Sequence, residues 1–300
     1  MIKKRLLNIY RRLIGSAGLI RDEASYRYAL KGADFSNRDN NKFAVILHLY
    51  YADSWSTFSE RIKSSLEGYE FDLYITMPKH NIKIVDVINS DFSQAKIIFV
   101  PNRGRDVLPF VRLIPFIKKA GYVYVLKLHS KKSTHRKDGK EWLDGMLTGL
   151  LPYSKYIMKN IHKTMQSKDT GVIGPSGVYY PLTVNFPANG YHMTNVLNRV
   201  YSKSIAHKYL QSERGGYGFF GGTMFWVRVD SIYKLCKFSI HNFESERGQI
   251  DGTFPHALER LFTLVSEIDK RNIFEVGTDG VVSRRYASTN IPEWSEDHLK

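Results

Sequence analysis

Cysteine, acidic residues and long apolar runs are all scarce in this chain of 300 residues. The single cysteine, Cys236, cannot form an internal disulfide and fits a reducing compartment. No apolar run approaches the ~20 residues that a membrane-spanning helix requires, and the N-terminus lacks the continuous apolar core of a secretory signal. These absences predict a cytoplasmic protein that is not secreted by that route.

The shortage of acidic residues leaves a strong positive charge. Lys and Arg number 44 against 29 Asp and Glu, which gives a net charge of +15. A charge of this size favours an anionic partner, such as a nucleotide, nucleic acid or an acidic membrane surface. Nucleic acid is the weaker interpretation, because no recognition motif is present and the basic groups fall at strand ends and at the N-terminus.

Residues 2–14 predict a basic amphipathic helix. Its apolar positions recur at helical spacing, and basic residues take most of the others. The apolar positions are Ile2, Leu6, Ile9, Tyr10 and Leu13, and the basic ones are Lys3, Lys4, Arg5, Arg11 and Arg12. Two interpretations stay open: a helix peripheral to the inner face of the cytoplasmic membrane, or an ordinary surface helix packed on the domain.

The order of strand-like and helical patterns predicts one α/β domain at residues 41–300, after a basic helix and linker at residues 1–40. The runs "FAVILHLYY", "FDLYITM", "AKIIFVPN" and "YVYVLKLHS" alternate with helical patterns, which favours a doubly wound, mainly parallel sheet. Past residue 150 the pattern weakens. There "YGFFGGTMFWVRVD" predicts one strand containing a glycine pair, and "HALERLFTLVSEI" predicts a helix.

Polar and ionisable residues follow each of the four predicted strands. They are His48, Tyr50, Tyr51 and Asp53 after the first, Thr76 to His80 after the second, "PNRGRDV" (101–107) after the third, and "HSKKSTHRK" (129–137) after the fourth. In open α/β sheets ligands bind at the carboxyl ends of the strands. The sequence therefore predicts that these groups converge on one binding site.

The turn "NRGRD" has the composition of an anion site at the start of a helix. Asn102 and Gly104 permit a tight turn, and Asp106 is placed to cap the helix that follows. Arg103 and Arg105, beside the free N–H groups of the helix end, would receive an anion. The alternative is a plain helix start with two exposed arginines.

His129, Lys131 and Lys132 form a cationic cluster at the end of the fourth strand. Such a cluster suits a diphosphate, whose charge as a leaving group must be stabilised by a metal or by fixed positive side chains. A solvated basic loop is the alternative. The spacing of His, Cys, Asp and Glu along the chain makes no persuasive metal site, so none is predicted.

Residues 242–260 contain the candidate general bases. Asp251 is the first choice to accept a proton from an acceptor hydroxyl, and capping of the last helix is its alternative role. Glu244, Glu246 and Glu259 are the further candidates. An inverting displacement requires such a base, and a retaining mechanism stays open.

Glycines and aromatics meet in "FFGGTMFWVR" (219–228). An aromatic face against a close-approaching backbone suits a sugar, so Gly221, Gly222 and Trp226, together with His256, are predicted to lie on the acceptor side. A buried aromatic strand is the alternative.

Six ordered blocks between residues 43 and 262 resemble the rhamnan synthesis protein F family of bacterial polysaccharide assembly. They are "FAVILHLYY", "FDLYIT", "PNRGRDVLPF", "YVLKLHSKKS", "GFFGGTMFWVR" and "GQIDGTFPHALER". The resemblance implies a glycosyltransferase that moves rhamnose or another hexose from a dTDP- or UDP-linked donor to a lipid-linked glycan of O-antigen, capsule or rhamnan. Residues 41–150 would then bind the nucleotide sugar, and residues 151–300 would hold the acceptor and the catalytic groups.

A looser similarity is to the GT-A glycosyltransferase layout, in which an Asn-x-Gly turn precedes a helix and the next strand ends in an acidic metal-binding motif. Here "NRGRD", the helix to Gly121 and "YVYVLKLHS" follow that order, but His129, Ser130, Lys131 and Lys132 replace the acidic motif. The similarity implies a GT-A-like enzyme, and the replacement of the acidic motif predicts that it works without a metal or another cofactor. A catalytically inactive subunit for assembly or membrane recruitment is the alternative.

Within this resemblance the residues after the strands take roles in donor binding. His129, Lys131 and Lys132 would hold the diphosphate, Asn102, Arg103, Gly104, Arg105 and Asp106 would contribute to the donor site, and His48, Tyr50, Tyr51 and Asp53 would line the nucleotide pocket.

Overall fold

A computed structural model describes residues 2–37, 43–130, 139–212, 216–277, 279–280 and 282–284. The strands are β1 (Phe43–His48), β2 (Asp72–Met77), β3 (Lys96–Phe99), β4 (Tyr124–His129), β5 (Thr170–Pro175), β6 (Tyr179–Pro181), β7 (Gly218–Phe220), β8 (Phe225–Arg228), β9 (Asn272–Val276) and β10 (Val282–Arg284). The helices are α1 (Ile2–Gly32), α2 (Trp55–Ser65), α3 (Val85–Asp91), α4 (Val107–Lys119), α5 (Gly139–Leu150), α6 (Lys155–Gln166), α7 (Phe186–Val200), α8 (Lys203–His207), α9 (Val229–Ile232) and α10 (Phe254–Ile268).

Eight strands form one sheet in the order β10-β9-β5-β8-β4-β1-β2-β3, and β6 pairs with β7 in a separate ribbon. Strands β1 to β4 pair in parallel, as do β5 and β9. Strand β8 runs antiparallel between β4 and β5, and β10 runs antiparallel to β9. The α/β class and the mainly parallel sheet predicted from the sequence are confirmed.

Both faces of the sheet are covered, which explains the unbroken apolar runs of its central strands. Every residue of β1 and of β4 is buried. One core joins the sheet to α1, α4, α7 and α10, and a second core joins the other face to α2, α3, α5 and α6. Helices on both faces force each strand residue into an apolar layer, so the period of two seen in half-exposed strands disappears.

The expectation of a single strand across the glycine pair is wrong. The chain turns at Gly222 and Thr223, whose φ angles are +85° and +49°, and this turn separates β7 from β8. Glycine adopts such left-handed geometry at little cost, which ends β7 and redirects the chain into the main sheet. The apolar run therefore forms two strands, β7 and β8, which belong to different sheets.

Helix α1 is longer than the sequence pattern indicated. It continues to Gly32, and its second half packs on the domain through Tyr26 and Leu30, which are 0 % and 4 % exposed. Over the described ranges, none of the helices combines the length and the apolar character needed to cross a membrane.

Arg228 at the end of β8 fastens the antiparallel strand to its neighbours. Its guanidinium is buried and donates hydrogen bonds to the carbonyl oxygens of Thr170 (3.0 Å), Met165 (2.7 Å) and Ser167 (2.5 Å). These carbonyls belong to the end of α6 and the start of β5, so one side chain closes the connection between them.

We expect Arg228→Ala to destabilise the fold by about 3 kcal/mol, because two buried carbonyl groups and one partly buried carbonyl group lose their donor. The free energy of unfolding, measured by urea denaturation, checks this. Lys237→Ala is the matched control: Lys237 is exposed on the turn that follows α9, and its loss is expected to change stability by no more than about 0.5 kcal/mol. Equal stability of the two variants would contradict the role of Arg228.

Candidate functional site

Two histidines stand side by side at the carboxyl ends of β1 and β4. His48 and His129 are partners in the parallel register, and they are 8 % and 2 % exposed. His48 Nδ1 lies 2.9 Å from Thr76 Oγ1 on β2, and His129 Nε2 contacts the carbonyl oxygen of Gly222. The predicted edge of the sheet thus carries ionisable groups held by hydrogen bonds.

A buried ion pair lies close to these histidines, since Lys127 precedes His129 by two residues on β4. The Lys127 side chain on β4 is 1 % exposed, and its Nζ contacts the carboxylate of Asp106 and donates to the carbonyl of Thr223 at 2.7 Å. Thr223 Oγ1 donates to the same carboxylate at 2.7 Å. Burial alone would raise the pKa of Asp106, but Lys127, His129 and these hydrogen bonds outweigh burial and hold the pKa well below its usual range.

The backbone of Gly222 connects His129 to helix α10. Its N–H donates to Glu259 Oε1 at 2.8 Å, and its carbonyl contacts His129 Nε2. Burial lowers the pKa of the Lys127 amino group, while the charges of Asp106 and Glu259 act in the opposite direction. Asp106 is thus the carboxylate in contact with the buried ammonium group, whereas Glu259 acts on it through its charge and is partly exposed.

Two turns with left-handed backbone geometry place the partners of Lys127 beside it. Gly104 and Arg105 have φ angles of +66° and +54°, and Gly222 and Thr223 form the second turn. A residue with a side chain in this region costs about 1 kcal/mol or more, so such geometry persists only where the surroundings enforce it. Here the first turn brings Asp106 to Lys127, and the second brings Thr223.

Lys127 and Thr223 are not among the site residues predicted from the sequence, because neither follows the end of a predicted strand. The available signal was the lysine inside the apolar run "YVYVLKLHS", because lysine is almost never fully buried without a partner. The identity of that partner was hidden, since Asp106 is 21 residues away in sequence and Thr223 is 96.

The two arginines of "NRGRD" are engaged within the protein. Arg103 Nε lies 2.8 Å from Asp22 of α1, and its Nη1 donates to the Phe243 carbonyl at 3.0 Å. Arg105 Nε lies 3.4 Å from Glu246. They tie the turn to neighbouring segments, and their role in anion binding stays a prediction.

Asp106 does occupy the N-cap position of α4, as expected, but its side chain makes no capping hydrogen bond. Lys127 and Thr223 both contact its Oδ2 atom instead.

Tyrosines form the exposed rim of the same edge. Tyr50 and Tyr51 are half-buried with ring centroids 4.9 Å apart, and Asn102 Nδ2 donates to Tyr50 Oη at 3.4 Å. The Tyr51 N–H donates to Ser130 Oγ at 2.9 Å, and Asp53 is exposed nearby in sequence. The structure thus brings Tyr50, Tyr51 and Asn102 together. Lys131 and Lys132 lie outside the described residues.

Asp251 is locked among neutral and positive groups. It accepts hydrogen bonds from Asn185 (2.8 Å), Asn189 (3.0 Å) and Arg260 (2.9 Å), and from the adjacent backbone N–H. Burial would raise its pKa, but Arg260, His256 and the two amides outweigh burial and lower it. A carboxylate in this setting is a weak base.

The expectation that Asp251 caps α10 is wrong, because Thr253 is the N-cap and forms a capping box with His256. His256, predicted on the acceptor side, thus lies within the first turn of α10 and is 6 % exposed. Glu244 accepts from the Phe254 N–H at 3.1 Å, so this carboxylate supports the helix start.

The aromatic segment predicted to face a sugar is part of the core. Trp226 is 1 % exposed, and its Nε1 donates to the Leu150 carbonyl at 2.9 Å. The Gly221 N–H donates to the Val178 carbonyl at 2.8 Å, and a Cβ at Gly221 would lie 2.7 Å from the Tyr180 ring. These placements favour the alternative of a buried aromatic strand.

Metal ligands do not cluster in the part of the chain that the structure describes: no group of three or more His, Cys, Asp or Glu side chains is arranged to hold an ion.

The glycine of the first left-handed turn is sterically required. We expect Gly104→Ala to cost about 3 kcal/mol of stability, because its Cβ would lie 2.5 Å from Leu108 Cβ and 2.7 Å from the Phe243 ring. Gly121→Ala isolates the backbone strain, since Gly121 has φ +90° and open space around it, and should cost about 1 kcal/mol. Urea denaturation measures both. Equal losses would show that close packing at Gly104 is unimportant.

His48 predicts acid sensitivity of the fold. Burial lowers its pKa to about 4 from an ordinary value of 6.5, although Asp106 acts in the opposite direction. The unfolded chain binds a proton below about pH 6.5 and the folded chain only near pH 4, so the stability that neutral His48 contributes is present above pH 6.5 and lost as the pH falls. The loss amounts to about 3 kcal/mol.

Urea denaturation at pH values between about 7 and 4 checks this. His48→Gln should flatten the decline of stability with falling pH, whereas His207→Gln, at an exposed position, should follow the parent protein. An unchanged decline in His48→Gln would contradict the assignment.

Comparison with known proteins agrees with the extent of this fold. Residues 24–270 match the sequence profile of the family described as rhamnan synthesis protein F. Two curated relatives, both named uncharacterized protein WxcX, come from Xanthomonas campestris pv. campestris, strains B100 and ATCC 33913. Each is 33 % identical over 225 residues, which is 73 % of this chain and 30 % of the relative.

The chain therefore spans less than a third of the length of the curated relatives it matches. The family match nevertheless includes every element that builds the candidate site, from β1 through α10. On this evidence the chain belongs to the rhamnan synthesis protein F family.

Proposed function

We propose that this chain is a glycosyltransferase that transfers a sugar from a nucleoside-diphosphate donor to a growing cell-surface polysaccharide. Membership of a family named for rhamnan synthesis supports the biological role. The observation that carries the chemistry is the buried Lys127–Asp106 pair with Glu259 beside it, at the carboxyl edge of the parallel strands. A site with fixed positive charge and a nearby partly exposed carboxylate suits the departure of a diphosphate and the activation of a hydroxyl.

The first task of the site is to accept a diphosphate without repelling it. Lys127 neutralises Asp106, so the buried carboxylate does not oppose an anion at this edge. His129 ends β4, and Lys131 and Lys132 follow directly in sequence. We assign these three residues to the diphosphate, with Tyr50, Tyr51 and Asn102 at the rim for the nucleotide.

The leaving diphosphate develops negative charge as the glycosidic carbon separates from it. Fixed cationic side chains stabilise that charge without reorganisation at the moment of reaction. On this proposal the enzyme works without a metal ion, because the basic residues after β4 supply the positive charge and Lys127 keeps Asp106 from opposing it. The donor is dTDP- or UDP-linked rhamnose or another hexose, and the acceptor is a lipid-linked glycan.

Glu259 is the better candidate for the general base. Asp251, the first choice from sequence, has its oxygens engaged by Asn185, Asn189 and Arg260, and its pKa is lowered. Glu259 is partly exposed and has one oxygen fixed by the Gly222 N–H. A base needs a defined position and access to the acceptor hydroxyl, and the fixed oxygen and partial exposure of Glu259 support this assignment.

Nucleotide release from dTDP-rhamnose and UDP-hexoses, in excess EDTA with a lipid-linked glycan acceptor, tests the proposal. We expect Glu259→Gln to lower kcat about 10²- to 10⁴-fold, because Gln still accepts the Gly222 hydrogen bond but cannot take a proton. Nucleotide affinity, measured by calorimetry, should stay unchanged. Asp251→Asn is the matched variant and should retain kcat while losing stability.

Loss of kcat in Asp251→Asn but not in Glu259→Gln would return the base to Asp251. Activity abolished by EDTA and restored by magnesium or manganese would refute the metal-free mechanism. Absence of turnover and of nucleotide binding under every condition would favour an inactive assembly subunit.

A further inference from the structure

Helix α1 presents two different sides over its second half. One side is tied to the domain: Asp22 bonds Arg103, Glu23 lies 3.0 Å from Arg112, and Tyr26 is fully buried. Asp22 and Glu23 are the two acidic residues of the helix; both pair with arginines of the domain, and Glu23, at the border of the two sides, also pairs with Arg27 at 2.8 Å. This leaves the opposite side without acidic residues.

The opposite side of α1 exposes apolar and basic residues together. Ile20 and Tyr28 are 67 % and 85 % exposed, among the largest exposures of apolar side chains in the described chain. Arg21, Arg27 and Lys31 are exposed with them. At about 100° per residue, these five positions fall within about 120° of one another around the helix. Exposed apolar groups ringed by basic ones are typical of a helix that lies in a lipid interface.

The apolar positions in the first half of α1 share the helical phase of this side. Eighteen residues make five turns of an α-helix, so positions that far apart in sequence share one helical phase. By this spacing Ile2 falls in phase with Ile20, and Tyr10 with Tyr28. The apolar stripe of residues 2–14 is therefore in phase with the side that solvent reaches.

The side that packs on the domain has the opposite character in the first half. The positions in phase with Asp22, Glu23, Tyr26 and Leu30 are Lys4, Arg5, Asn8 and Arg12. Continued packing of α1 on the domain would thus place polar and charged positions, not the apolar stripe, towards the protein. This phase relation supports the membrane interpretation over that of an ordinary surface helix.

We propose that the side of α1 formed by Ile20, Arg21, Arg27, Tyr28 and Lys31, extended by the apolar stripe of residues 2–14, binds the surface of an anionic lipid bilayer. Its basic residues complement acidic headgroups, and the apolar residues enter the interface between headgroups and acyl chains. A nucleic acid would match the charge but would leave Ile20 and the apolar stripe unexplained.

Binding on this side would hold the candidate site at the membrane. Asp22 lies on the opposite side of the same helix and bonds Arg103, which belongs to the turn that presents Asp106. The proposed docking is independent of the proposed catalysis, because it depends on α1 alone and is measured without turnover.

Sedimentation of the full chain with vesicles tests the docking. We expect binding to phosphatidylglycerol–phosphatidylcholine vesicles, little binding to pure phosphatidylcholine, and weakening by salt. Arg21→Gln with Lys31→Gln should weaken binding more than tenfold, since each basic residue near the surface is worth roughly a fivefold change in affinity. Ile20→Ser with Tyr28→Ser should weaken it comparably through loss of apolar insertion.

Lys159→Gln with Lys163→Gln is the matched control, because it removes the same charge from exposed positions of α6 on the other face of the sheet. Circular dichroism verifies that each variant is folded. Equal binding by the α1 and α6 variants, absence of vesicle binding, or a preference for a DNA duplex over anionic vesicles would each overturn the proposal.

Discussion

A single buried ammonium group constrains the central part of this fold. Lys127 lies in the middle of a parallel strand that is covered on both faces, where an unpaired charge would be prohibitively unfavourable. Its ammonium group pairs with the Asp106 carboxylate and donates a hydrogen bond to the Thr223 carbonyl. The Thr223 hydroxyl donates to the same carboxylate. Neither partner is near Lys127 in sequence, so the chain must return twice to the same point.

Those returns account for the least regular parts of the backbone. The turn at Gly104 and Arg105 follows β3 and aims Asp106 inward, and the turn before β8 places Thr223 against β4. Removing either member of the Lys127–Asp106 pair would leave the other charge buried and unpaired, which is far costlier than replacing the whole pair by apolar groups. The pair thus helps to specify a single fold, because it requires β8 to lie next to β4 in one register. It also brings α10 and the parallel half of the sheet together at one edge.

The sequence predicts well what depends on neighbours along the chain and poorly what depends on distant polar partners. Strands β1 and β4 and helix α10 followed from continuous apolar runs or from helical spacing, because burial imposes those patterns directly. The break between β7 and β8 was missed, since a glycine pair within an apolar run gives no sign of which strand each side will join. Asp106 was placed correctly at the start of α4, yet its side-chain partner is Lys127, which no local pattern could reveal.

Polar surroundings also distinguish the two acidic residues near the start of α10. Asp251 and Glu259 are eight residues apart and equally suited to base catalysis by residue type, but their surroundings differ. Arg260 and two asparagine amides enclose Asp251 and stabilise its charged form, so it holds the loop onto the helix and resists protonation. Glu259 is held by one backbone N–H next to the buried ammonium of Lys127 and remains partly open to solvent. Environment sorts such carboxylates into structural and chemical roles. Here it gives Asp251, the residue that the sequence favoured, a structural role, and it supports the proposal of Glu259 as the base.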